Sequence, residues 1–289
     1  MYAEYFGLKE NPFSLAPEPR YLFLSEHHRD ALNCLVYGIK EKKGFVLLSG
    51  AIGLGKTTIC RSLLNALDDS VETALIFNTA ISEMDLLETV LNEFGIKTAK
   101  KEMKSKKACI DILNKFLLNN YGAGKTAVLL IDEAQNLSRG VLEQLRMLSN
   151  LETDKEKLLQ IILIGQPELN ATLMLPALRQ LNERITVRYS LEPLSLREVR
   201  DYIEHRLKVA QGPGTLKFTS PAISIIYDFS EGIPRRINAL CDRALLIAYT
   251  KNVSKINRKI IKLAAADIGA DYFQKTMNGW KKIWERWTN

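Results

Sequence analysis

Short apolar runs recur along the first two thirds of the chain, each separated from the next by a stretch with helical spacing. "GFVLLSG" (Gly44–Gly50), "ETALIFN" (Glu72–Asn78), "TAVLLID" (Thr126–Asp132) and "LLQIILIG" (Leu158–Gly165) are nearly continuous in hydrophobic residues and rich in branched ones. Runs of this kind predict strands buried on both faces. A fifth, "RITVRYSL" (Arg184–Leu191), alternates apolar with polar and predicts an edge strand. The stretches between them, Lys56–Leu67, Met84–Phe94, Ser105–Tyr121 and Arg139–Leu151, predict helices. The alternation predicts an α/β domain with a five-stranded, mostly parallel sheet covered by helices on both faces.

After Ser195 the pattern changes. No further strand-like run follows, and helical spacing occupies Leu196–Ala210, Pro221–Phe229, Pro234–Tyr249 and Ser254–Ile268, broken by "GPGT" at Gly212–Thr215. This predicts a small all-helical domain. Beyond it, Trp280, Trp284 and Trp287 recur at helical spacing beside Lys281 and Lys282. The chain thus divides into an α/β domain at 1–191, a helical domain at 192–270 and an aromatic, basic tail at 271–289. The tail suits a membrane interface, a protein partner or packing back on the helical domain.

Composition narrows the setting. With 289 residues, 46% of them hydrophobic and 25% charged, the chain is long enough to build its own cores. Cys34, Cys60, Cys109 and Cys241 are scattered among apolar or helical neighbours, which predicts buried free thiols in a reducing compartment. The N-terminus lacks a signal-peptide pattern, and no run approaches the ~20 apolar residues that cross a bilayer. A cytoplasmic protein is expected. The net charge of +7 favours an anionic partner, whether nucleotide, nucleic acid or an anionic membrane face.

Chemistry concentrates at two strand ends. "GAIGLGKTT" (Gly50, Ala51, Ile52, Gly53, Leu54, Gly55, Lys56, Thr57, Thr58) stands between a predicted strand and a predicted helix, the context a phosphate-binding loop requires. Its glycines let consecutive N–H groups curve around phosphate oxygens, and the helix adds its N-terminal partial charge. Lys56 reaches the outer phosphates and the Thr57 hydroxyl suits magnesium, while Thr58 faces the outer phosphates or packs. "VLLIDEAQ" (Val128–Gln135) then places Asp132 to hold that metal and Glu133 to polarise an attacking water. Asn78 ends the second strand, either bonding Glu133 or capping the strand. Gln166 follows the fourth, where it orients the water or senses the γ-phosphate. ATP or ADP with Mg²⁺ is the expected ligand.

The combination resembles the AAA+ ATPases, P-loop enzymes with a helical lid. "YFGLKENPFSLAPEPRYLFLSEHHRDALNCLVYGI", "GFVLLSGAIGLGKTT", "LIDEAQNL", "ILIGQPEL", "LRQLNERITVRYSLEPL" and "GIPRRINALCDRALLIAY" resemble in particular the ExeA/GspA-type secretion ATPases. Those are related to pilus and exopolysaccharide ATPases and to TniB-type transposition ATPases. The resemblance covers about residues 1–270. It implies a sensor at Gln166, a second sensor at Arg235 in the lid and a glutamate switch at Asn78. It also implies an arginine finger at Arg184, with Arg179 in reserve, offered to a neighbouring subunit in a hexamer or other ring. Phe13 and Tyr21–Phe23 then belong to a segment near the adenine. His27 and His28 are expected at the pocket's periphery or on the surface, and Arg236 on the surface.

The implied function is a Mg-dependent, ATP-hydrolysing switch for a cell-envelope secretion, pilus or polysaccharide system, working at the inner face of the cytoplasmic membrane with an envelope protein partner. The alternative is a DNA-associated ATPase of the transposition or replication type. The lysine-rich stretch Lys97–Lys107 suits a solvated face first, a protein or membrane contact second and nucleic acid last. Many secretion members continue into a transmembrane segment and a cell-wall-binding region. This sequence stops at Asn289, as a cytoplasmic portion or a naturally short relative would.

Overall fold

A computed structural model describes residues 1–272 except 17, 78, 98–102, 104 and 212–215. Asn78, most of the lysine-rich stretch and the tryptophan tail therefore lie outside the described residues. The chain forms two compact units, one of residues 26–192 and the other of residues 1–25 together with the chain from Pro193 onward.

The first unit is the α/β domain. Its order is α2 (Glu26–Lys40), β1 (Phe45–Gly50), α3 (Lys56–Ala66), β2 (Val71–Ile76), α4 (Glu83–Glu93) and α5 (Lys106–Gly122), following a short α1 (Tyr2–Tyr5) of the other unit. Then come β3 (Thr126–Ile131), α6 (Arg139–Leu148), β4 (Leu159–Gly165), α7 (Pro167–Leu173), α8 (Arg179–Arg184) and β5 (Ile185–Leu191). The five strands pair in parallel in the order β2-β3-β4-β1-β5.

All six residues of β1 and all seven of β4 are buried, as continuous apolar runs require. β5 alternates exposed and covered positions at the edge, as its sequence pattern predicts. α2 approaches β1 closely because Gly38 has no side chain; a Cβ there would stand 2.3 Å from Val46 Cγ2. The helices start where their caps dictate. Ser82 and Asp85 form a reciprocal capping box at α4, and Ser105 and Ser138 cap α5 and α6.

The second unit contains α9 (Leu196–Val209), β6 (Lys217–Phe218), α10 (Ser220–Ser230), α11 (Pro234–Thr250), β7 (Lys255–Ile256) and α12 (Arg258–Tyr272). The first 25 residues join this unit, whereas the sequence reading attached them to the α/β domain. The reason is apolar: Phe6, Leu8, Phe13 and Tyr21 are buried in one cluster with residues of α9 to α12. Arg206 fastens the segment, donating to the carbonyls of Pro12 and Ser14. β6 and β7 are a second difference from expectation. Two residues each are too few to show a period, so no sequence pattern announces them. Asn257 accepts from the N–H groups of Lys259 and Ile260, which delays the last helix to Arg258.

Cys60, Cys109 and Cys241 are buried and Cys34 is half-buried; all are free. Burial raises each thiol's pKa, and Cys60, Cys109 and Cys241 are inert core residues. Among the described residues no helix is long and apolar enough to cross a membrane.

Candidate active site

Sheet order creates the site. β4 lies between β1 and β3, so the loops leaving the carboxyl ends of these three neighbours converge, where parallel sheets bind ligands. Gly50 ends β1, Asp132 follows β3 and Gln166 follows β4.

The loop after β1 turns through Gly53 at φ 84° and Gly55 at φ 97°, both left-handed and suited to glycine. His28, on α2, braces this turn: its Nε2 lies 2.9 Å from the Leu54 carbonyl oxygen. A Cβ at Gly55 would come within 3.1 Å of the same nitrogen. Lys56 opens α3 and is buried, its Nζ donating to the carbonyls of Gly50 at 2.8 Å and Ala51 at 3.1 Å. Burial lowers its pKa, partly offset by the charges of Glu133, Asp132 and Glu168. The ammonium is thus short of anionic partners in a loop shaped for phosphate.

Thr57 Oγ1 donates to Asp132 Oδ2 at 2.7 Å. Asp132 is buried, and its other oxygen accepts from the Glu133 N–H at 2.8 Å. A hydroxyl and a carboxylate oxygen in contact beside a phosphate loop are hard oxygen donors of the kind magnesium takes. The residues present fit that ion.

Glu133 occupies the left-handed region at φ 52°, an unusual conformation for a side-chain-bearing residue. It is held on several sides. Its carbonyl accepts from Thr79 Oγ1 at 3.2 Å, and its Oε2 accepts from Gln166 Nε2 at 3.3 Å and from Gln135 Nε2. Gln135 closes the loop by accepting the Gln166 N–H on Oε1 at 3.0 Å. Gly165 admits that approach, since a Cβ there would stand 3.1 Å from the same oxygen.

The structure therefore brings together Gly50, Gly55, Lys56, Thr57, Asp132, Glu133 and Gln166 in the first unit. It also adds Gln135 and Thr79 in supporting positions, and it puts His28, expected at the pocket's periphery or on the surface, in a buried position against the loop. Gln135 had a faint signal, lying two residues past Glu133, but its partner depends on the bend at Glu133. For His28 the sequence offered a place but no partner, because 26 residues separate it from Leu54. His27 instead faces Tyr189 and Glu192 at 3.4 and 3.9 Å.

The predicted arginines stand elsewhere. Arg184 ends α8 immediately before β5, and Ile185 pairs with Phe45 at the start of β1. Its Nη1 donates to the Arg146 carbonyl at 3.0 Å, and to Ser149 Oγ and Asn150 Oδ1 at 2.6 Å each. Arg179 pairs with Glu183 on the same helix. In the helical unit, Arg235 is exposed near the start of α11 and Arg236 pairs with Glu231. Phe13 and Tyr21 are core side chains of that unit.

A family model described as an AAA domain matches residues 39–173. General secretion pathway protein A of Aeromonas hydrophila is 48% identical over 268 residues, covering 93% of this chain and 48% of the relative. The chain thus spans about half the length of that relative. Among solved structures, the ORC2 protein of Aeropyrum pernix in its ADPNP–ADP complexes is 17% identical with a TM-score of 0.65, covering 89% of this chain and 71% of that one. Drosophila ORC bound to DNA is 20% identical with a TM-score of 0.66, covering 89% and 64%. At these identities the two structures report a shared fold.

Proposed function

Since this chain belongs to the AAA+ ATPases and is closely related to general secretion pathway protein A, we propose that it binds Mg-ATP at the carboxyl edge of β1, β3 and β4 and hydrolyses it to ADP and phosphate. The reaction drives a switch in a bacterial envelope secretion or assembly system, on the cytoplasmic side where ATP is supplied.

The observation that carries this reading is the buried Lys56 ammonium, flanked by a Thr57–Asp132 contact and the Glu133 carboxylate. Lys56 neutralises charge on the outer phosphates as the transferring group leaves. Thr57 and Asp132 hold magnesium, which when bound draws charge from the phosphate oxygens. Glu133 accepts the proton of the attacking water, and Gln166 with Gln135 sets where its carboxylate points.

Arg184 serves a neighbour. β1 runs parallel to β5, so Arg184 lies at the opposite end of β1 from Gly50. Five residue steps at ~3.3 Å put them about 17 Å apart, too far for Arg184 to serve the chain's own γ-phosphate. A second copy presenting this edge to the nucleotide completes the site, and hydrolysis then depends on self-association. Arg184 must first leave Ser149 and Asn150 at the end of α6.

Mixing two variants tests this. Glu133→Gln alone lowers ATP turnover by about 10²–10⁴-fold with nucleotide binding retained, and Arg184→Ala alone is similarly slow. Mixed, Glu133→Gln subunits donate Arg184 to intact bases in Arg184→Ala subunits, and part of the activity returns. Turnover by Glu133→Gln at the parent rate removes the proposed base. No recovery on mixing removes the finger in trans.

A further inference from the structure

The helical unit carries a basic face that nucleotide chemistry does not use. β6 and β7 pair in parallel, with Lys217 beside Lys255 and Phe218 beside Ile256. Residues in register on such a pair project to the same side. The two lysines are therefore exposed together while Ile256 is buried on the other side. Like charges directly opposite one another destabilise a strand pair. The fold gains nothing from this arrangement.

Three more cations stand close by. Lys251 closes α11, and Arg258 and Lys259 occupy the first turn of α12, where the helix's own partial charge is positive and disfavours them. The three residues from Lys255 to Arg258 span at most about 10 Å. All five cations are exposed, and among the described residues none takes part in an ion pair. Residues 251–266 contain no aspartate or glutamate. Such a surface is incomplete without an anionic partner.

Its other features choose among partners. Four of the five cations are lysines, point charges without the planar fork that reads phosphodiesters or base edges. Residues 251–263 include no aromatic on which a base would stack. Val253 and Leu263 are instead exposed within the patch at 37% and 46%, Leu263 one helical turn beyond Lys259. Cations interspersed with exposed aliphatic side chains match a lipid headgroup layer over acyl chains. The sequence that follows α12 carries Trp280, Trp284 and Trp287 beside Lys281 and Lys282, residue types that anchor at that layer.

We propose that this face of the helical unit docks on an anionic lipid surface. Lys217, Lys251, Lys255, Arg258 and Lys259 meet headgroup charges while Val253 and Leu263 enter the interfacial layer. This stands independently of the hydrolytic reading, since none of these residues belongs to the phosphate site.

The test is sedimentation of the full 289-residue chain with vesicles of phosphatidylcholine alone or mixed with phosphatidylglycerol, at low and high salt. Binding to the mixed vesicles alone, weakening with salt, is expected. Each lysine near an anionic surface contributes about a factor of five, so Lys217→Ala with Lys255→Ala lowers partitioning about 25-fold. The double variant keeps the parent's circular dichroism and ATP turnover. A parallel variant replaces Trp280, Trp284 and Trp287 with serine. If that change abolishes binding while the lysine variant binds like the parent, the tail is the contact and the proposal falls. It falls equally if neither vesicle binds. Lysine-dependent binding to duplex DNA without vesicle binding would make the partner a nucleic acid and overturn it.

Discussion

Among the described residues each unit buries one lysine or arginine to the same extent, with Lys56 and Arg206 both 6% exposed, and the two are treated in opposite ways. Arg206, in the helical unit, is satisfied by the fold. Its guanidinium donates to the carbonyls of Pro12 and Ser14 and to the Tyr202 hydroxyl, and it lies 4.5 and 5.6 Å from the Tyr21 and Tyr202 ring centres. Carbonyls and ring faces suffice for a delocalised, weakly hydrated cation. Lys56 has two carbonyls, and burial lowers its pKa. One cation ties a strap into a core. The other is kept for a substrate, at the expense of the empty protein's stability.

The sharpest way to break this comparison is Lys56→Met. A lysine whose folded pKa lies below its unfolded value charges less readily in the folded state. The folded protein therefore loses stability as pH falls through the window between the two values, and the cost is present in full below that window. Lys56→Met should lower ATP affinity about 100-fold, the loss of a charge-assisted contact worth about 3 kcal/mol. The nucleotide-free melting temperature should be unchanged or higher. Calorimetric titration and a thermal melt check both, and a clearly lower melt would mean that Lys56 is structural.

Arg206→Met should do the reverse. It leaves one buried carbonyl, one partly buried carbonyl and a hydroxyl short of a donor, costing about 2 kcal/mol in the helical unit's unfolding transition. Limited proteolysis should then cleave the first 25 residues sooner. Loss of ATP affinity without a change in stability would contradict the assignment. The smallest effect belongs to Tyr202→Phe. That hydroxyl donates to Asn238 Oδ1 at 2.8 Å and accepts from Arg206 at 3.0 Å. Its removal should cost about 1 kcal/mol in denaturant unfolding, with ATP affinity as in the parent.

Local pattern made much of this protein legible. Continuous apolar runs identified the inner strands β1, β3 and β4 and the alternating run the edge strand β5, because burial on two faces or one imposes those patterns. β2, expected from its apolar run to be buried on both faces, is instead the other edge of the sheet and mostly half-buried. The phosphate loop and the Asp132–Glu133 pair were readable for a similar reason, since each draws its chemistry from adjacent residues at a strand end. The lysine pair at 217 and 255 was not, being two residues on strands too short to carry a period.

The sequence by itself determined which side chains carry the chemistry, because phosphate, metal and water each demand particular residue types in one short stretch. Only the tertiary structure decided what holds those side chains. His28 beneath Leu54, Gln135 between Glu133 and Gln166, and Arg184 at the far end of β1 all depend on segments distant in the chain. It likewise sent the first 25 residues to the helical unit, where Phe13 and Tyr21 found an apolar cluster and Arg206 found their backbone. Such contacts arise from packing between elements, and packing leaves no periodic trace in the segments it joins.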